Sequence, residues 1–468
     1  MAQVKKRRRA SQRSPDRRPL FRCRGRPKKR DDSRTGKEGC PAFAALGVPR
    51  KPVPVRGFVA VFRKSTIRIA LAQGSDAADN GNVDAIYLDH NATTPVHPEV
   101  VEAMSRCWRQ GYANPASQHQ LGQKARRVVE DAREEIAEIL GANVSGARSD
   151  RLIFTSGGTE ANNLALFGIA RAFQKEPAGR VVVSAVEHAS VLEPAQHLLD
   201  LGWGVDSLGV DSDGVARVEM LDGLLRPETR LVSVMLGNHE TGALQPVARL
   251  AQACNAAGVP MHTDAVQVAG KLPIDFRGLG VAALSVAAHK FRGPLGIGAL
   301  LVREDVRLEP LHFGGHQQWG LRPGTECVPL VVGMATALRI WRREREAHFS
   351  HLLRLRDRFE AGLRAGFPDL VVNGSGAERL PQTSNVAFSG LDGQVLLMAL
   401  DMAGVACSVG SACSSGSSEL SPTLLAMGLP KPVVASSLRF SLGATTTEAE
   451  IDEAVRRILL VVHELRGS

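Results

Sequence analysis

Short apolar runs alternate, from Tyr87 onward, with stretches in which apolar residues recur at every third or fourth position. Short runs bounded by turn formers are typical of buried strands, and the wider spacing is typical of amphipathic helices. Buried strands are predicted at residues 151–155, 180–185, 230–236, 260–263, 282–287 and 297–302. Amphipathic helices are predicted between most of them, for example at 123–140 and 246–257. This alternation predicts an α/β fold with a mainly parallel sheet.

The pattern changes after Pro329, where a long helix with many charges is predicted at about 331–366. Two short strands follow, at about 385–388 and 436–441, and a helix ends the chain. A few short strands with two helices at their sides are typical of an α+β arrangement. The pattern therefore predicts a second, smaller α+β domain at the carboxyl end.

The terminal helix has a clear start, because Thr447 and Glu450 are spaced as a capping box. Its apolar residues then fall on one face. We place the large domain at 85–342 and the small domain at 343–468, and we expect the first residues of the large domain to be able to pack on the small one. No internal repeat is visible.

The formal net charge of +10 is carried by the amino-terminal part of the chain. Residues 1–84 contain 22 Lys and Arg and 7 Asp and Glu. The whole chain has 58 and 48, so residues 85–468 contain 36 Lys and Arg and 41 Asp and Glu. The stretch 5–37 offers few apolar side chains to offset ordering entropy, so we expect a disordered extension. The alternative is binding of nucleic acid through phosphate neutralisation, although Phe21 is the lone aromatic residue there.

Composition excludes several classes of protein. With 44% apolar and 23% charged residues over 468 positions, residues 85–468 have material for a sizeable core. No run of about 18 uncharged apolar residues exists, so we expect no membrane span. Seven scattered cysteines without a CxxC pair indicate neither a disulfide framework nor a zinc site. We expect a reducing compartment, the cytoplasm. The alternative is an organelle such as the mitochondrion, because residues 57–72 could form a targeting helix, although they lie far from Met1.

Polar residues recur directly after the predicted strands. In open α/β sheets ligands bind beyond the carboxyl ends of the strands, so these residues are the first candidates for a site. A Gly-Gly turn that opens a helix suits a phosphate, because the helix amino terminus offers N–H groups and a positive dipole end. In chain order the candidates are Gly158 and Thr159, His188, Asn238 and His239, and Asp264 and Gln267.

One lysine stands at the end of a predicted strand. The run 282–288 delivers His289 and Lys290 into a loop rich in Gly and Pro. A lone lysine at this position is most often a solvated strand end. The other candidate residues favour a catalytic role for it. Pyridoxal phosphate requires a turn that binds its phosphate, a carboxylate that pairs with its protonated ring nitrogen, here Asp264, and a side chain that stacks on its ring, here His188. Partial burial would make such a lysine a nucleophilic amine.

At this point the sequence resembles a known family. In order along residues 85–467, the motifs are YLDHNATTP (87–95), ANPAS (113–117), SGGTE (156–160), VEH (186–188), HTDAVQ (262–267), HK (289–290), RPGT (322–325), GSAC (410–413) and SLRFSLG (437–443). They are similar to those of NifS/IscS-type cysteine desulfurases, in class V of the fold-type I pyridoxal-phosphate enzymes. The resemblance implies a large α/β domain with a mainly parallel, seven-stranded type of sheet, a smaller α+β domain, and a homodimer.

The resemblance also implies roles for individual residues. Lys290 would hold pyridoxal phosphate as a Schiff base and later move the Cα proton of the substrate. Asp264 would keep the ring nitrogen protonated. His188 would stack on the ring and Gln267 would bond its hydroxyl group. The phosphate would be bound by Gly158, Thr159 and His289, with Thr325 reaching across from the partner subunit, and the substrate by Arg439 and Asn238.

Cys413 distinguishes a sulfur-transfer enzyme from an aminotransferase in this family. It lies in a stretch of small residues, 410–420, that we expect to form a mobile loop. Its thiolate could attack the substrate sulfur and so form a persulfide. The persulfide could be carried to a sulfur acceptor or to an iron–sulfur scaffold protein, where Cys413 could transiently contact the iron–sulfur cluster of that protein. The alternative is a surface cysteine without function. We interpret Cys407, in an apolar run, as a core residue.

Two positions depart from the family pattern. His239 stands where the family usually has the asparagine that bonds the cofactor hydroxyl, so we expect its protonation to influence activity near neutral pH. Ala287 stands where a serine commonly bonds the phosphate, which removes one hydrogen bond worth about 1 kcal/mol. The prediction is a desulfurase that converts L-cysteine to L-alanine. The alternatives are a selenocysteine lyase, another class V enzyme, and a nucleic-acid-binding protein on a degenerate enzyme fold.

Overall fold

The computed structural model describes residues 85–146, 148–173, 178–410 and 419–467. The predictions made for the basic extension 1–84, for the segment around Cys413 and for Cys413 itself therefore lie outside the described residues.

The strands, in chain order, are β1 Ile86–Tyr87, β2 Arg151–Thr155, β3 Arg180–Ser184, β4 Gly204–Leu208, β5 Thr229–Ser233, β6 Met261–Asp264, β7 Ala283–Ala287, β8 Gly298–Val302, β9 Leu370–Val372, β10 Thr383–Phe388, β11 Val405–Ala406 and β12 Ser437–Ser441. The helices are α1 Pro98–Gln110, α2 Gln120–Ile139, α3 Gly158–Arg171, α4 Ala189–Asp200, α5 Val247–Ala256, α6 Phe276–Leu279, α7 Val328–Gly366, α8 Gly393–Met402, α9 Pro422–Ala426, α10 Lys431–Ala435 and α11 Glu448–Gly467.

The large sheet has seven strands in the order β2-β8-β7-β6-β5-β3-β4. Strands β3 to β7 run parallel to one another, and β8 pairs antiparallel with both β7 and β2. The mainly parallel sheet and the α/β class are thus as expected. Six of its strands, all but β4, are buried along nearly their whole length. Helices cover both faces of the sheet, and apolar Val, Leu, Ile and Ala side chains fill the layers between.

In the large sheet the predicted strands agree with the observed ones within a few residues, with one omission, β4; outside it, the short strands β1, β9 and β11 were not predicted either. The largest difference is at 230–236, where the strand ends at Ser233 because the chain turns away toward Asn238. Strand β4 was not predicted, since it lies at the sheet edge and four of its five residues are only partly buried. A half-exposed edge strand with an Asp and a Ser lacks the apolar run on which the prediction depends.

The second sheet is antiparallel, in the order β12-β10-β9. It packs with α8, α11 and the second half of α7 around a separate apolar core. Ile86 and Leu88, at the start of the described chain, belong to this core, and β1 pairs in parallel with β11.

Helix α7 connects the two cores. Its residues up to Trp341 belong to the core of the large sheet, and Leu352 to Leu363 belong to the core of the small sheet. We propose these two cores as the two domains, with the boundary inside α7 at about residue 342.

The carboxyl ends of β2, β3, β5, β6 and β7 meet at one edge of the large sheet, since these strands share one direction. The candidate residues predicted after the strands follow these ends. The sheet topology therefore places them on one side of the molecule.

Candidate active site

The amino terminus of α3 forms one wall of the site. The helix begins at Gly158, directly after β2, and Thr159 is exposed at its first turn. A Cβ atom at Gly158 would lie 2.8 Å from Val266 Cγ2, so a larger residue would force these two segments apart. Arg322 fixes this end of the helix by binding Glu160, with Nε 2.9 Å from Oε1. The open N–H groups of the first turn suit a phosphate.

Asp264 ends β6 and is 6% exposed. Its Oδ2 accepts a hydrogen bond from Asn162 Nδ2 at 2.6 Å, and its Oδ1 accepts one from the Val266 N–H at 2.9 Å. Asn162 also donates to Ser190 Oγ at 2.8 Å. These bonds hold the carboxylate in one orientation, with little water around it.

Two histidines from neighbouring strand ends pack against each other. His188 caps the start of α4, where its Nδ1 accepts a hydrogen bond from the Ser190 N–H at 3.1 Å. Its ring meets the ring of His239 edge to face, with centroids 5.2 Å apart. His188 also lines an open cleft with Thr159 and Asn163. The two rings therefore form an aromatic wall beside the α3 turn.

His239 is buried, and its Nδ1 has no hydrogen-bond partner among the described residues. The pKa of His239 lies well below its usual range. The main cause is burial, and the nearby charges of His188, Arg439 and Lys290 lower it further. The imidazole is therefore neutral near pH 7. This corrects the expectation that its protonation influences activity there, because desolvation of this position outweighs the ordinary basicity of the ring.

Asn238 shapes the turn that presents His239. Its Oδ1 accepts from the N–H groups of Glu240 and Thr241, both at 2.9 Å, and its Nδ2 donates to the Val186 carbonyl at 3.1 Å. The side chain is fully buried. We propose a structural role for Asn238, in place of the predicted contact with substrate.

Lys290 follows β7 in a single helical turn. Its Nζ donates to the main-chain carbonyls of Asn91 and Ala92, the latter at 2.8 Å. Gln267 Nε2 donates to the same Asn91 carbonyl at 3.0 Å, so the lysine amine and the glutamine amide meet at one oxygen. The other amide atom, Gln267 Oε1, has no partner among the described residues.

Arg439, in β12, reaches the same region from the small sheet and is 2% exposed. One guanidinium nitrogen donates to Asp89 Oδ1 at 2.7 Å, and the other donates to the carbonyls of His239 and Gly410, both at 3.1 Å. Its Nε has no acceptor among the described residues. A guanidinium fixed in this way can bind a carboxylate in bidentate fashion.

The remaining residues predicted from the sequence are His289, Thr325 and Ala287. His289 Nδ1 is 3.2 Å from Thr93 Oγ1, and burial together with Lys290 and Lys271 lowers the pKa of His289 to about 4, so the ring is neutral. Thr325 is exposed in the segment before α7 and is not among the described contacts of the other site residues. Ala287 is buried, with its Cβ 3.5 Å from the Cβ position at Gly158.

Sequence reasoning assigned no role to Asp89, Asn91 or Asn162, which the structure places within hydrogen-bond distance of Arg439, Lys290 and Asp264. The YLDHNATTP motif contains two of them and was the signal available. Cys413 lies outside the described residues, whereas Cys407 packs against the small core, where burial raises the pKa of its thiol.

The residues present fit pyridoxal phosphate. The α3 turn suits the phosphate, the buried Asp264 carboxylate suits a protonated ring nitrogen, and the unpartnered Gln267 and His239 atoms suit a ring hydroxyl or substrate group. Lys290 supplies an amine, which shares the Asn91 carbonyl with the Gln267 amide.

The described residues contain no helix with the length and hydropathy needed to cross a bilayer.

Comparison with known proteins agrees with this geometry. The family described as Aminotransferase class-V matches residues 86–454. The cysteine desulfurase IscS of Dictyoglomus turgidum is 39% identical over 381 residues, which is 81% of this chain and 95% of the relative. The mitochondrial cysteine desulfurase of Eremothecium gossypii is 42% identical and covers 84% of this chain and 78% of its own. A solved structure of a NifS-like protein matches this fold with a TM-score of 0.75 at 34% sequence identity, and the match covers 81% of this chain and 100% of that protein's chain. The chain belongs to the class V aminotransferases and, within them, to the cysteine desulfurases.

Proposed function

We propose that this chain uses pyridoxal phosphate to convert L-cysteine to L-alanine and leaves the sulfur as a persulfide on Cys413. The observation that carries the proposal is the convergence of Lys290, Asp264, His188 and Arg439 at the carboxyl edge of one sheet. An amine, a buried carboxylate, an aromatic wall and a carboxylate-binding guanidinium are the parts that this reaction requires.

The cofactor would be held by the first turn of α3 at Gly158 and Thr159, by Asp264 and by Lys290. When bound there, pyridoxal phosphate supplies an electron sink that stabilises negative charge on the substrate carbon. Asn162 keeps Asp264 oriented, since its amide donates to Oδ2 at 2.6 Å. His188 and His239 would present an aromatic surface to one side of the cofactor. Both His239 and His289 are neutral, so neither adds a charge near the cofactor.

Arg439 would bind the carboxylate of L-cysteine, and Asp89 keeps the guanidinium in place until the substrate arrives. A bidentate contact fixes the Cα–H bond of the substrate relative to its surroundings. Lys290 Nζ, which the Asn91 and Ala92 carbonyls position, would then take and return the Cα proton.

The thiolate of Cys413 would attack the sulfur of the substrate. An S–S bond forms, the C–S bond breaks, and its electron pair remains on carbon, which takes up a proton. In sum, L-cysteine and the Cys413 thiol give L-alanine and a Cys413 persulfide, with no external oxidant or reductant. An acceptor thiol or an iron–sulfur scaffold protein would then receive the outer sulfur.

We further propose a homodimer in which Thr325 joins the partner's site. The exposed position of Thr325 supports this, as do Phe313 and Trp319, which are 84% and 54% exposed a few residues upstream. Exposed aromatic residues on one segment are typical of interaction surfaces. A reducing compartment, whether the cytoplasm or an organelle, suits the free thiols of Cys107, Cys254, Cys327 and Cys407.

The test is sulfide and alanine release from L-cysteine with a dithiol present, by the full chain and by its Cys413→Ala variant. Equal amounts of sulfide and alanine, lost in Cys413→Ala and retained in the matched variant Cys407→Ala, support the proposal. Equal alanine formation by Cys413→Ala and the wild type would remove Cys413 from the mechanism. A parallel assay with selenocysteine separates the desulfurase from a selenocysteine lyase.

A further inference from the structure

A second cavity lies between the turn that carries Lys290, helix α7 and the segment after β12. Its polar lining includes Lys271, Arg292, Trp341 and His348, and its apolar lining includes Phe291 and Ile340. The volume open to the centres of water-sized groups is about 30 Å³. One water needs roughly 10–15 Å³ by this measure, so the space suits one small ion or a pair of waters.

Lys271 brings a positive charge to this cavity without a carboxylate beside it. Its Nζ donates to the main-chain carbonyl of Lys290. Burial and the neighbouring Lys290 lower the pKa of Lys271 to about 7, and no Asp or Glu contributes to that shift. None of the residues that line the cavity in the described chain is acidic. The protonated amine therefore has no counter-ion among the described residues.

Trp341 supplies an independent indication of a ligand. The residue is 5% exposed and lines the cavity, and its indole N–H has no acceptor among the described residues. Indole nitrogen is a donor only, and a buried donor normally finds an acceptor. A ligand that accepts hydrogen bonds in this cavity would satisfy it.

The groups around Lys271 leave the cavity positive. Lys290 lines the cavity as well, and His289 precedes it on the same turn. The pKa values of His289 and His90 are both lowered to about 4, so these rings stay neutral. Burial also lowers the pKa of His348 and of His97, which both line the cavity.

The nearest carboxylates lie outside the cavity lining. Glu344 on α7 is 3.7 Å from His348 Nε2 and also binds Arg343, and Glu450 on α11 acts on His90. Arg292, whose nearest acidic influence is Glu344, adds a second full charge to the wall.

We propose that this cavity binds a small monovalent anion of halide size, such as chloride, with the Lys271 ammonium and the Trp341 indole N–H as its donors. Phosphate and sulfate carry two charges and five heavy atoms and exceed the space. The apolar part of the wall favours a weakly hydrated halide over a pair of waters, since water molecules there would find few hydrogen-bond partners beyond these two donors. Neither of the two proposed donors takes part in the Cα chemistry of the proposed function, although Lys290 lines this cavity too.

Anion binding and proton binding at Lys271 are then linked. The anion pairs with the charged amine, so it binds more tightly below the pKa of Lys271 and more weakly above it. A ligand that binds only the folded chain raises its stability with concentration. Chloride should therefore raise the unfolding temperature at constant ionic strength, and more so at pH 6.5 than at pH 9.

The experiment uses the full-chain holoenzyme. Crystals grown in sodium bromide should show anomalous scattering in the cavity, within hydrogen-bond distance of Lys271 Nζ. In solution, the unfolding temperature is measured in sodium chloride against sodium gluconate. We expect the chloride effect to disappear in Lys271→Met and to persist in Lys431→Met, an exposed lysine on α10. In Trp341→Phe the chloride concentration at half effect should rise about fivefold, the equivalent of one lost hydrogen bond.

Three outcomes overturn the proposal. They are crystals that bind bromide elsewhere and leave the cavity free of it, an undiminished chloride effect in Lys271→Met, and a Trp341→Phe variant with wild-type chloride dependence. The bromide and Trp341→Phe results stand even where Lys271→Met does not fold. None of these readouts depends on desulfurase activity.

Discussion

Arg439 and Asp89, 350 residues apart in the chain, are joined by a hydrogen-bonded ion pair of 2.7 Å. The arginine is almost fully buried, whereas the Asp89 side chain is 18% exposed. The exposed side of this pair is where a carboxylate ligand could reach the guanidinium. The pair thus links the segment after the first described strand, the small sheet and the proposed substrate position.

Replacing Arg439 by lysine should raise the KM for L-cysteine about 10- to 100-fold. Lysine keeps the charge but loses the planar fork that binds two carboxylate oxygens together. The bonds to the His239 and Gly410 carbonyls would also be lost. Steady-state kinetics at saturating cofactor measure the effect.

Arg379→Lys is the matched control, because Arg379 makes a comparably buried pair with Glu360, with Nη–Oε distances of 2.8 and 3.1 Å. Both variants should lose stability, and Arg439→Lys alone should change KM. A wild-type KM in Arg439→Lys would contradict the proposed substrate contact.

His239→Asn should leave the pH dependence of kcat/KM unchanged between pH 6 and 8. Burial keeps the pKa of His239 well below its usual range, so the ring is already neutral across this interval and removing it removes no titration. The measurement is kcat/KM for L-cysteine at closely spaced pH values in both proteins. Loss of an acidic limb between pH 6 and 7 in the variant would show that His239 titrates there after all.

Asp264→Asn should lower kcat about 10- to 100-fold at saturating cofactor. The amide keeps the shape of the side chain and can still meet Asn162, but it cannot pair with a protonated ring nitrogen, and a hydrogen bond to a charged group is worth about 1.5–3 kcal/mol. The control is Asp206→Asn, which breaks the part-buried pair with Arg180 at the sheet edge. Wild-type turnover in Asp264→Asn would exclude the proposed ring contact.

Ala287→Ser should tighten cofactor binding about fivefold. The position is buried at the end of β7, with its Cβ 3.5 Å from the Cβ position at Gly158, so a hydroxyl group there lies beside the phosphate-binding turn. One added hydrogen bond contributes about 1 kcal/mol. Equilibrium dialysis of pyridoxal phosphate gives the dissociation constant. Unchanged or weaker binding would show that the phosphate is not held next to this residue.

The sequence pattern predicts the buried part of the fold well, and the reason is physical. Strands β2, β3 and β7 are mainly apolar because helices cover both faces, and such runs are visible without any structure. Strand β4 was missed because an edge strand needs no such run. The parallel or antiparallel direction of β8 could not be predicted from an apolar run, since the run has no polarity.

For the site, the pattern identifies side chains that end strands, and the resemblance suggests their roles. It does not identify partners brought from far along the chain. The Asn91 carbonyl that accepts from Lys290 and Gln267 is a main-chain atom and has no signature in a sequence. The loss of basicity at His239 likewise depends on burial by segments that only the fold brings together.

Acid stability should depend on His262, which lies between Ser233 Oγ and Ser285 Oγ at 2.9 Å from each and is fully buried in the large sheet. Burial lowers the pKa of His262 to about 3. The unfolded chain binds a proton at this histidine below about pH 6.5, and the folded chain does not until about pH 3. The free energy of unfolding therefore falls as the pH drops through this interval, by up to about 1.4 kcal/mol per pH unit for this one group.

His262→Gln removes this titration while keeping a polar group between the two serines. The stability difference between wild type and variant should be constant above pH 7 and should shrink steadily from pH 6 to pH 4, because the wild type alone carries the penalty of an unprotonated histidine. Urea unfolding at fixed protein concentration, across pH 4 to 8, measures it. His463→Gln, at an exposed position on α11, is the control and should run parallel to the wild type. A constant difference between wild type and His262→Gln over the whole range would show that His262 is protonated in the folded chain, which would require a rearranged contact with Ser233 or Ser285.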